Sequence, residues 1–274
     1  MSNFAERPPI LYQEVAPPSA LAGLVFCYWK FEYNPLGDGT ANPKVLHHSV
    51  LPDGCVSLFF QNCESSQGGR MLIGFLGPRT TVFKTEVPPG HMIVGVRLFP
   101  AVANFLFGIT GAMLRDKVID ATPYTRGLDF ESIPAKLKPG FTDFRLLDAL
   151  LLKCAEKAVE LPDSDVVRAI NGILESGGKT RIGPVSSSAV VSERQLQREF
   201  KRSVGLTMKE FARVRRMRNS VIDYLMNDRN LQDLVHDNGY CDQAHLIKDY
   251  SLVSTTNPTA LLKYLSEISH KDVT

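Results

Sequence analysis

Apolar positions along the chain follow two rhythms. Up to about residue 100 they come in short bursts: LVFCYWKFEY, KVLHHSVLPDG, CVSLFFQN, MLIGFLGP, TTVFKTEVPPG and HMIVGVRLFP. Each is strand-length, rich in Val, Ile, Phe and Tyr, and bounded by Pro, Gly, Asn or Asp, which predicts antiparallel strands of a barrel or sandwich. Pro52-Asp53-Gly54 reads as a turn, because Pro presets φ and Gly accepts positive φ. From AVANFLFGIT onward the spacing becomes helical. Residues 144–159, FRLLDALLLKCAEKAV, set leucines at 146, 147, 150 and 151 along one stripe. That stripe fits either a helix packed on its own barrel or one that pairs with a second copy of the chain. Pro162, an N-cap in Asp163 or Ser164, and Asp165 in the first turn open the next helix. A division near residue 161 is therefore expected, with a β-rich domain and helical tail over 1–161 and a helical domain over 162–274.

Within the second part the pattern repeats at an offset of fifty: Val185 with Val235, Leu196 with Leu246, Phe200 with Tyr250, Leu206 with Thr256. A fixed offset means one supersecondary unit used twice. Each copy reads as a short helix, a tight turn and a longer helix, with Ser192 and Asp242 as the N-caps of the longer ones. Leu196 and Phe200, four apart, turn inward, which leaves Arg194, Gln197, Arg198, Lys201 and Arg202 outward.

Composition adds limits. The 274 residues are 44% hydrophobic and 22% charged, as in a globular chain long enough for two cores. Five scattered cysteines without a C-x-x-C suggest neither a disulfide framework nor a zinc site and fit a reducing cytoplasm. No apolar run reaches the length of a membrane span, and the first ten residues lack a signal-peptide core. Formal charge is only +2 overall, yet residues 194–218 hold nine Lys or Arg against Glu199 and Glu210, a local +7. Arginine offers a planar fork that grips phosphate, or guanine O6 and N7, two atoms at a time. Double-stranded DNA becomes the leading partner.

Residues 163–264 resemble the DNA-binding domain of the AraC/XylS family of bacterial transcription regulators. The resemblance is carried by VSERQLQREFKRSVGLTMKEFARVRRMRNSVIDYL and LVHDNGYCDQAHLIKDYSLVSTTNP. It implies an all-α domain of two helix-turn-helix units joined by a linker helix, in an α+β chain of two domains. The first recognition helix would direct Arg194, Gln197 and Arg198 to base edges and Lys201 or Arg202 to phosphate; the matching second-unit residues are Ala244, Ile247 and Lys248. Residues 219–249 hold six Asp against Arg229 and Lys248, so unequal labour is expected, with the first unit supplying most affinity and readout. Arg213, Arg215, Arg216 and Arg218 fall on the linker helix, to be shared between salt bridges and the DNA backbone. His245 is expected to be structural. Val190, Leu246, Tyr250 and Thr255 depart from the family's usual Gly, Phe, Phe and Gly; Val190 would resist positive φ.

Residues 12–130 resemble the β-rich N-terminal domain found fused to AraC-type modules, through YQEVAPPSALAGLVFCYW, VLPDGCVSLFF, LGPRT and GVRLFPAVANFLFGI. That implies a cupin-like barrel or sandwich with flanking helices, which binds a small effector or sets a homodimer; an activator would also meet RNA polymerase. Trp29, Tyr28, Phe31, Phe59, Phe75 and Phe83 line an apolar pocket or simply fill the barrel. Arg79 and Arg97 are the candidates to fix an anionic effector beside Trp29. His47, His48 and His91, near Asp53 and Glu86, invite a metal reading. Adjacent His47 and His48 point to opposite faces of a strand, which argues against it, and no metal or other cofactor is expected. No catalytic constellation is visible, so the chain is read as a non-enzymatic, cytoplasmic regulator. The alternatives are a barrel that only dimerises and, further off, a cupin-type enzyme fused to a DNA-binding module.

Overall fold

The structure, a computed structural model, describes residues 10–35, 45–63, 70–137, 141, 143–158, 164–179, 191–227, 229–254 and 257–271. The apolar bursts form strands β1 (Ile10–Val15), β2 (Val25–Tyr33), β3 (Leu46–Val50), β4 (Ser57–Cys63), β5 (Arg70–Leu76), β6 (Phe83–Val87) and β7 (Met92–Leu98). After the short helices α1 (Val102–Phe107) and α2 (Gly111–Leu114) comes β8 (Val118–Asp120), then α3 (Ile133–Lys136) and α4 (Arg145–Lys157). One seven-stranded sheet has the order β8-β5-β4-β7-β2-β1-β9, antiparallel except where the C-terminal strand β9 (Ser269–Lys271) joins β1 in parallel. β3 and β6 form a separate two-stranded ribbon.

Alternation along the strands gives the large sheet two apolar faces with different fates. Leu58, Phe60, Phe75, Val94, Val96 and Tyr28 point to one face and are buried against α1, α3 and α4. Leu147, Leu150 and Leu151 supply the α4 side of that core, so the leucine stripe packs on its own domain. A bulge between Val25 and Cys27 shifts the register of β2 and lets Val25 join the same core as Tyr28. The other face carries Cys27, Trp29 and Phe31 and looks toward the β3–β6 ribbon across a cavity.

Helices make up the rest: α5 (Ser164–Glu175), α6 (Glu193–Val204), α7 (Met208–Asn227), α8 (Leu231–Asp237), α9 (Gln243–Ser254) and α10 (Pro258–Ser266). α5, α6 and the start of α7 share one core around Phe200 and Phe211; the end of α7 with α8, α9 and α10 shares another around Tyr250. The twenty-residue α7, about 30 Å long, spans both. Residues 159–163, 180–190 and 255–256 lie outside the described residues. The expected division near 161, the cap at Asp163, the first short helix with Val185 and Val190, and the positions of Thr255 and Thr256 fall there. No described helix is long and apolar enough to cross a membrane.

Candidate nucleic-acid interface and the cavity behind it

α6 forms because Ser192 caps it, its Oγ accepting from Gln195 N at 3.4 Å, and because Leu196, Phe200 and Val204 recur at helical spacing. All three are buried, which turns Arg194, Gln197, Arg198, Lys201 and Arg202 out to solvent. Glu199 ties part of this face together: Arg202 Nε donates to it at 2.8 Å and Arg198 Nε at 3.4 Å. The hydrogen bond from Arg202 leads in holding the Glu199 carboxyl below its ordinary value. Gln197 Nε2 reaches back to Glu193 at 3.0 Å. With Arg198 and Arg202 side chains 73% and 57% exposed, these pairs exchange for a phosphate or base partner at little cost.

The second unit keeps the frame and changes the face. Asn230 and Asp233 form a reciprocal capping box at the start of α8. Its end turns through Gly239, whose φ of 69° a β-carbon would strain, while Tyr240 N closes on Val235 O at 3.1 Å. Asp242 Oδ1 accepts from His245 N at 2.7 Å and opens α9. Leu246 and Tyr250 are wholly buried, and the Tyr250 hydroxyl is satisfied by Ser220 Oγ at 2.8 Å. His245 faces the Tyr240 ring edge-on and accepts from Cys241 N through Nδ1 at 3.3 Å, which is a packing role. Ala244, Ile247 and Lys248 face solvent.

Helical spacing sorts the four linker arginines into two pairs on opposite sides of α7. Arg213 and Arg216 reach Asp249 of α9, at 3.2 and 2.6 Å. Arg215 and Arg218 turn instead to the β-domain. Glu14 Oε1 accepts from Arg218 Nη2 at 2.7 Å, Arg97 Nη1 at 2.6 Å and the Tyr12 hydroxyl at 2.5 Å. Arg97 Nε lies 2.5 Å from Asp53 Oδ2, an ion pair by distance whose N–H is not aimed at the oxygen. Arg215 donates to Asp53 O at 3.4 Å and lies over Phe26, the residue at the β2 bulge, at 5.0 Å. All four are engaged inside the protein, with Arg213 still 26% exposed.

Glu14, Arg97, Arg215 and Arg218 are at most 7% exposed. Burial alone would push the Glu14 carboxyl up, but the Arg97 and Arg218 guanidiniums outweigh it and hold it far below the carboxylate range. Burial lowers Arg215 and raises the neighbouring Cys27 thiol to about 11. Among the described residues three guanidiniums face two carboxylates, Glu14 and Asp53, in a dry place. Sequence reading missed this cluster because Glu14 and Arg218 are 204 positions apart. The only local signal was alternation, which puts Tyr12 and Glu14 on one face of β1.

Arg97 also lines the cavity between sheet and ribbon, about 280 Å³ in volume, together with Tyr12, Asp53, Trp29 and Arg79. Of the aromatics singled out in the sequence, Trp29, Phe31, Phe59 and Phe83 line it, whereas Tyr28 and Phe75 belong to the core on the other face. Arg97 is engaged inside the protein: Nη1 donates to Glu14 and Cys27, Nη2 donates to the Tyr12 hydroxyl, and Nε lies beside Asp53. Arg79 lies over the Phe83 ring at 4.4 Å, with its Nε buried and unpartnered among the described residues. His47 faces solvent beside Glu86 while His48 packs on Phe31 with the rings tilted and 4.3 Å apart, so the two diverge. Among the described residues no three His, Cys, Asp or Glu converge as a metal site.

The β-domain also holds both units. Arg115, just after α2, donates to Glu210 at 2.7 and 3.0 Å and to Gly205 O at 3.1 Å, at the junction of α6 and α7. Val82 N donates to Val253 O in α9 at 2.7 Å, and the Tyr264 hydroxyl of α10 meets His48 Nδ1 at 2.8 Å.

Residues 185–264 match the family described as a helix-turn-helix domain, and residues 13–120 match a domain of unknown function (DUF6597). No curated protein matches the chain. Among solved structures it is similar to ToxT from Vibrio cholerae: 10% identical over 86% of this chain and 96% of that one, with a TM-score of 0.44. ToxT from Vibrio cholerae O395 is 12% identical over 82% and 95%, with a TM-score of 0.43. Wild-type ToxT of strain SCE256 bound to an unsaturated fatty acid is 12% identical over 83% and 93%, with a TM-score of 0.46.

Proposed function

Since the chain carries an AraC-type helix-turn-helix domain over residues 185–264 and a DUF6597 domain over residues 13–120, we propose that it is an effector-responsive transcription regulator reading double-stranded DNA chiefly through α6. The observation that carries this reading is the one-sided exposed face of α6, four cations and an amide standing clear of a buried Leu196–Phe200–Val204 ridge. Arg194, Gln197 and Arg198 read base edges, and Lys201 and Arg202 hold phosphate. α9 contributes Ala244 and Ile247 as apolar contacts, suited to thymine methyls, and Lys248 as one cation. The division between the two domains falls near residue 161.

The effector part of the reading rests on a shared wall. Tyr12, Asp53 and Arg97 line the cavity and also belong to the ion cluster that grips Arg215 and Arg218 of the linker. A ligand that binds more tightly to one arrangement of that wall biases the linker, and with it the spacing of the two recognition helices. Arg97 acts here as the joint, and Arg79 and Trp29 as the ligand contacts. An open cavity supports a sensing domain over one that only pairs two chains.

Arg198→Ala and Lys201→Ala test the assignment of roles. Arg198→Ala should lose about 1–3 kcal/mol of preference for the selected site over random DNA. Lys201→Ala should weaken both alike and flatten the salt dependence by about one unit of log-log slope. Fluorescence anisotropy on a site selected from random DNA reads both quantities; equal effects of the two changes on specific and random DNA would remove the assignment.

A further inference from the structure

The cavity has an unusual floor. Across β2, β7, β4 and β5 the paired positions are Trp29, Gly95, Phe59 and Gly74, so rings and bare backbone alternate along one row. A β-carbon on Gly95 would sit 2.2–2.5 Å from Trp29 ring atoms, and one on Gly74 2.4–2.5 Å from Phe59. Each ring therefore lies down over the glycine of the next strand instead of standing up into the space. Strands run about 4.8 Å apart, so two prone rings pave most of the row. The result is a flat aromatic surface with open volume above it, roofed by the ribbon through Val50 and Phe83. At 280 Å³ the space is about twice the ~150 Å³ that accommodates a benzene, which suits one ring with a short tail.

Charge selects the other end. Arg79 projects from the wall over Phe83, and among the described residues no carboxylate lies within ion-pair distance of it. Asp116 is its nearest counter-charge and is already shared with Arg115 at 3.4 Å. Resting on the effector reading above, we infer that the cavity takes a flat conjugated ring carrying a single acidic group, stacked on the Trp29–Phe59 floor with its anion toward Arg79. Planarity follows from the prone rings, since a flat π-system gains offset stacking that a puckered one does not. Acidity follows from a half-buried guanidinium at the cavity wall whose Nε is buried and which has no carboxylate within ion-pair distance among the described residues.

Trp29 is the chain's only tryptophan, so its emission reports the floor directly. The full-length protein is titrated with trans-cinnamate, with 3-cyclohexylpropanoate of similar length and equal charge, and with uncharged cinnamyl alcohol. Calorimetry follows the same three probes. Saturable quenching by trans-cinnamate is expected, with the cyclohexyl acid and the alcohol each about tenfold weaker. Arg79→Gln should bring the acid down to the alcohol and leave the alcohol unchanged; Phe59→Leu should weaken both planar probes and spare the cyclohexyl acid. Equal affinity for the three probes, or no saturable binding by any of them at millimolar concentration, overturns the inference. DNA affinity, measured with and without trans-cinnamate, separates the two readings. Selective binding that leaves DNA affinity untouched keeps the ligand class and removes the effector role. DNA binding by a protein that accepts none of the probes removes the ligand class alone.

Discussion

The two recognition helices share a frame and differ in what they do with one acid. Leu196 and Leu246 are each at most 1% exposed, and Phe200 and Tyr250 are wholly buried, so the inner pattern repeats faithfully at an offset of fifty. At the same offset Glu199 matches Asp249. Glu199 is partly exposed and ties down arginines of its own helix, Arg198 and Arg202. Asp249 is buried and binds arginines of the linker, Arg213 and Arg216. The first helix thus keeps its cations near the surface, poised to change partner, whereas the second uses its acid as a bolt. Inward positions are constrained by packing density and repeat; outward positions are free to specialise, and here they differ between the two units in charge and in partners.

Breaking the bolt should give the largest effect. Asp249→Asn leaves two half-buried guanidiniums facing a neutral amide, and removal of one partner from such a pair costs about 3 kcal/mol, somewhat less here because Arg213 is 26% exposed. Glu199→Gln, its counterpart, should stay within about 0.5 kcal/mol. Urea denaturation of the two variants measures the contrast. Similar losses from both would mean that the units are equivalent and that burial of Asp249 carries no special weight.

How much of this was legible beforehand depends on sequence distance. The Leu196–Phe200 spacing, the Ser192 and Asp242 caps and the outward set from Arg194 to Arg202 all follow from neighbours within a turn or two, and the structure places each as expected. The strand bursts and the inward leucines of α4 are equally local signals. The partners of the linker arginines are another matter. Spacing alone separates Arg213 and Arg216 from Arg215 and Arg218, but nothing near them names Asp249, Asp53 or Glu14 as what they meet. Arg97 shows the same limit: its strand position turns it to the cavity, while its partners Tyr12 and Glu14, Cys27 and Asp53 come from β1, β2 and the 51–54 turn. Which aromatics line the cavity required the register, since Tyr28 and Trp29 are adjacent and face opposite ways.

A middle-sized effect separates the two units by how they are attached. The junction of α6 and α7 is held to the β-domain by an ion pair, Arg115 to Glu210, with Thr207 N also donating to Glu210 at 2.8 Å. The Arg115 hydrogen bond is the chief cause that lowers the Glu210 carboxyl from 4.5 to about 2. A carboxylate held below its unfolded value stabilises the fold fully above about pH 4.5, and that stabilisation drains away as pH falls toward 2. The group is a quarter exposed, so screening trims its contribution to roughly 1 kcal/mol. Glu210→Gln should lower stability by about that amount near pH 6 and match the parent near pH 2. The second unit is attached by Val82 N to Val253 O, by β9 along β1 and by the Tyr264 hydroxyl to His48 Nδ1, contacts that include no carboxylate. Amide exchange should therefore rise with acid at α6 before α9; simultaneous opening would show that the attachments do not differ in this way.

The smallest expected effect sharpens the comparison most, because it asks whether Glu199 merely decorates α6 or restrains it. In the free protein its carboxylate holds Arg202 at 2.8 Å and Arg198 at 3.4 Å, and a phosphate approaching either must displace it. Glu199→Gln removes one negative charge from the face proposed to meet DNA without touching the buried ridge. Affinity for random DNA should rise about threefold, by roughly 0.6 kcal/mol, in the range of a single exposed ion pair. The gain should shrink as salt is raised, since screening weakens the repulsion that the change relieves. Preference for the selected site over random DNA should hold steady if Glu199 restrains both arginines alike, and should rise if it chiefly holds Arg198, the proposed base reader. A loss of affinity would instead mean that Glu199 aligns these arginines for DNA, and the first helix would then be as firmly bolted as the second.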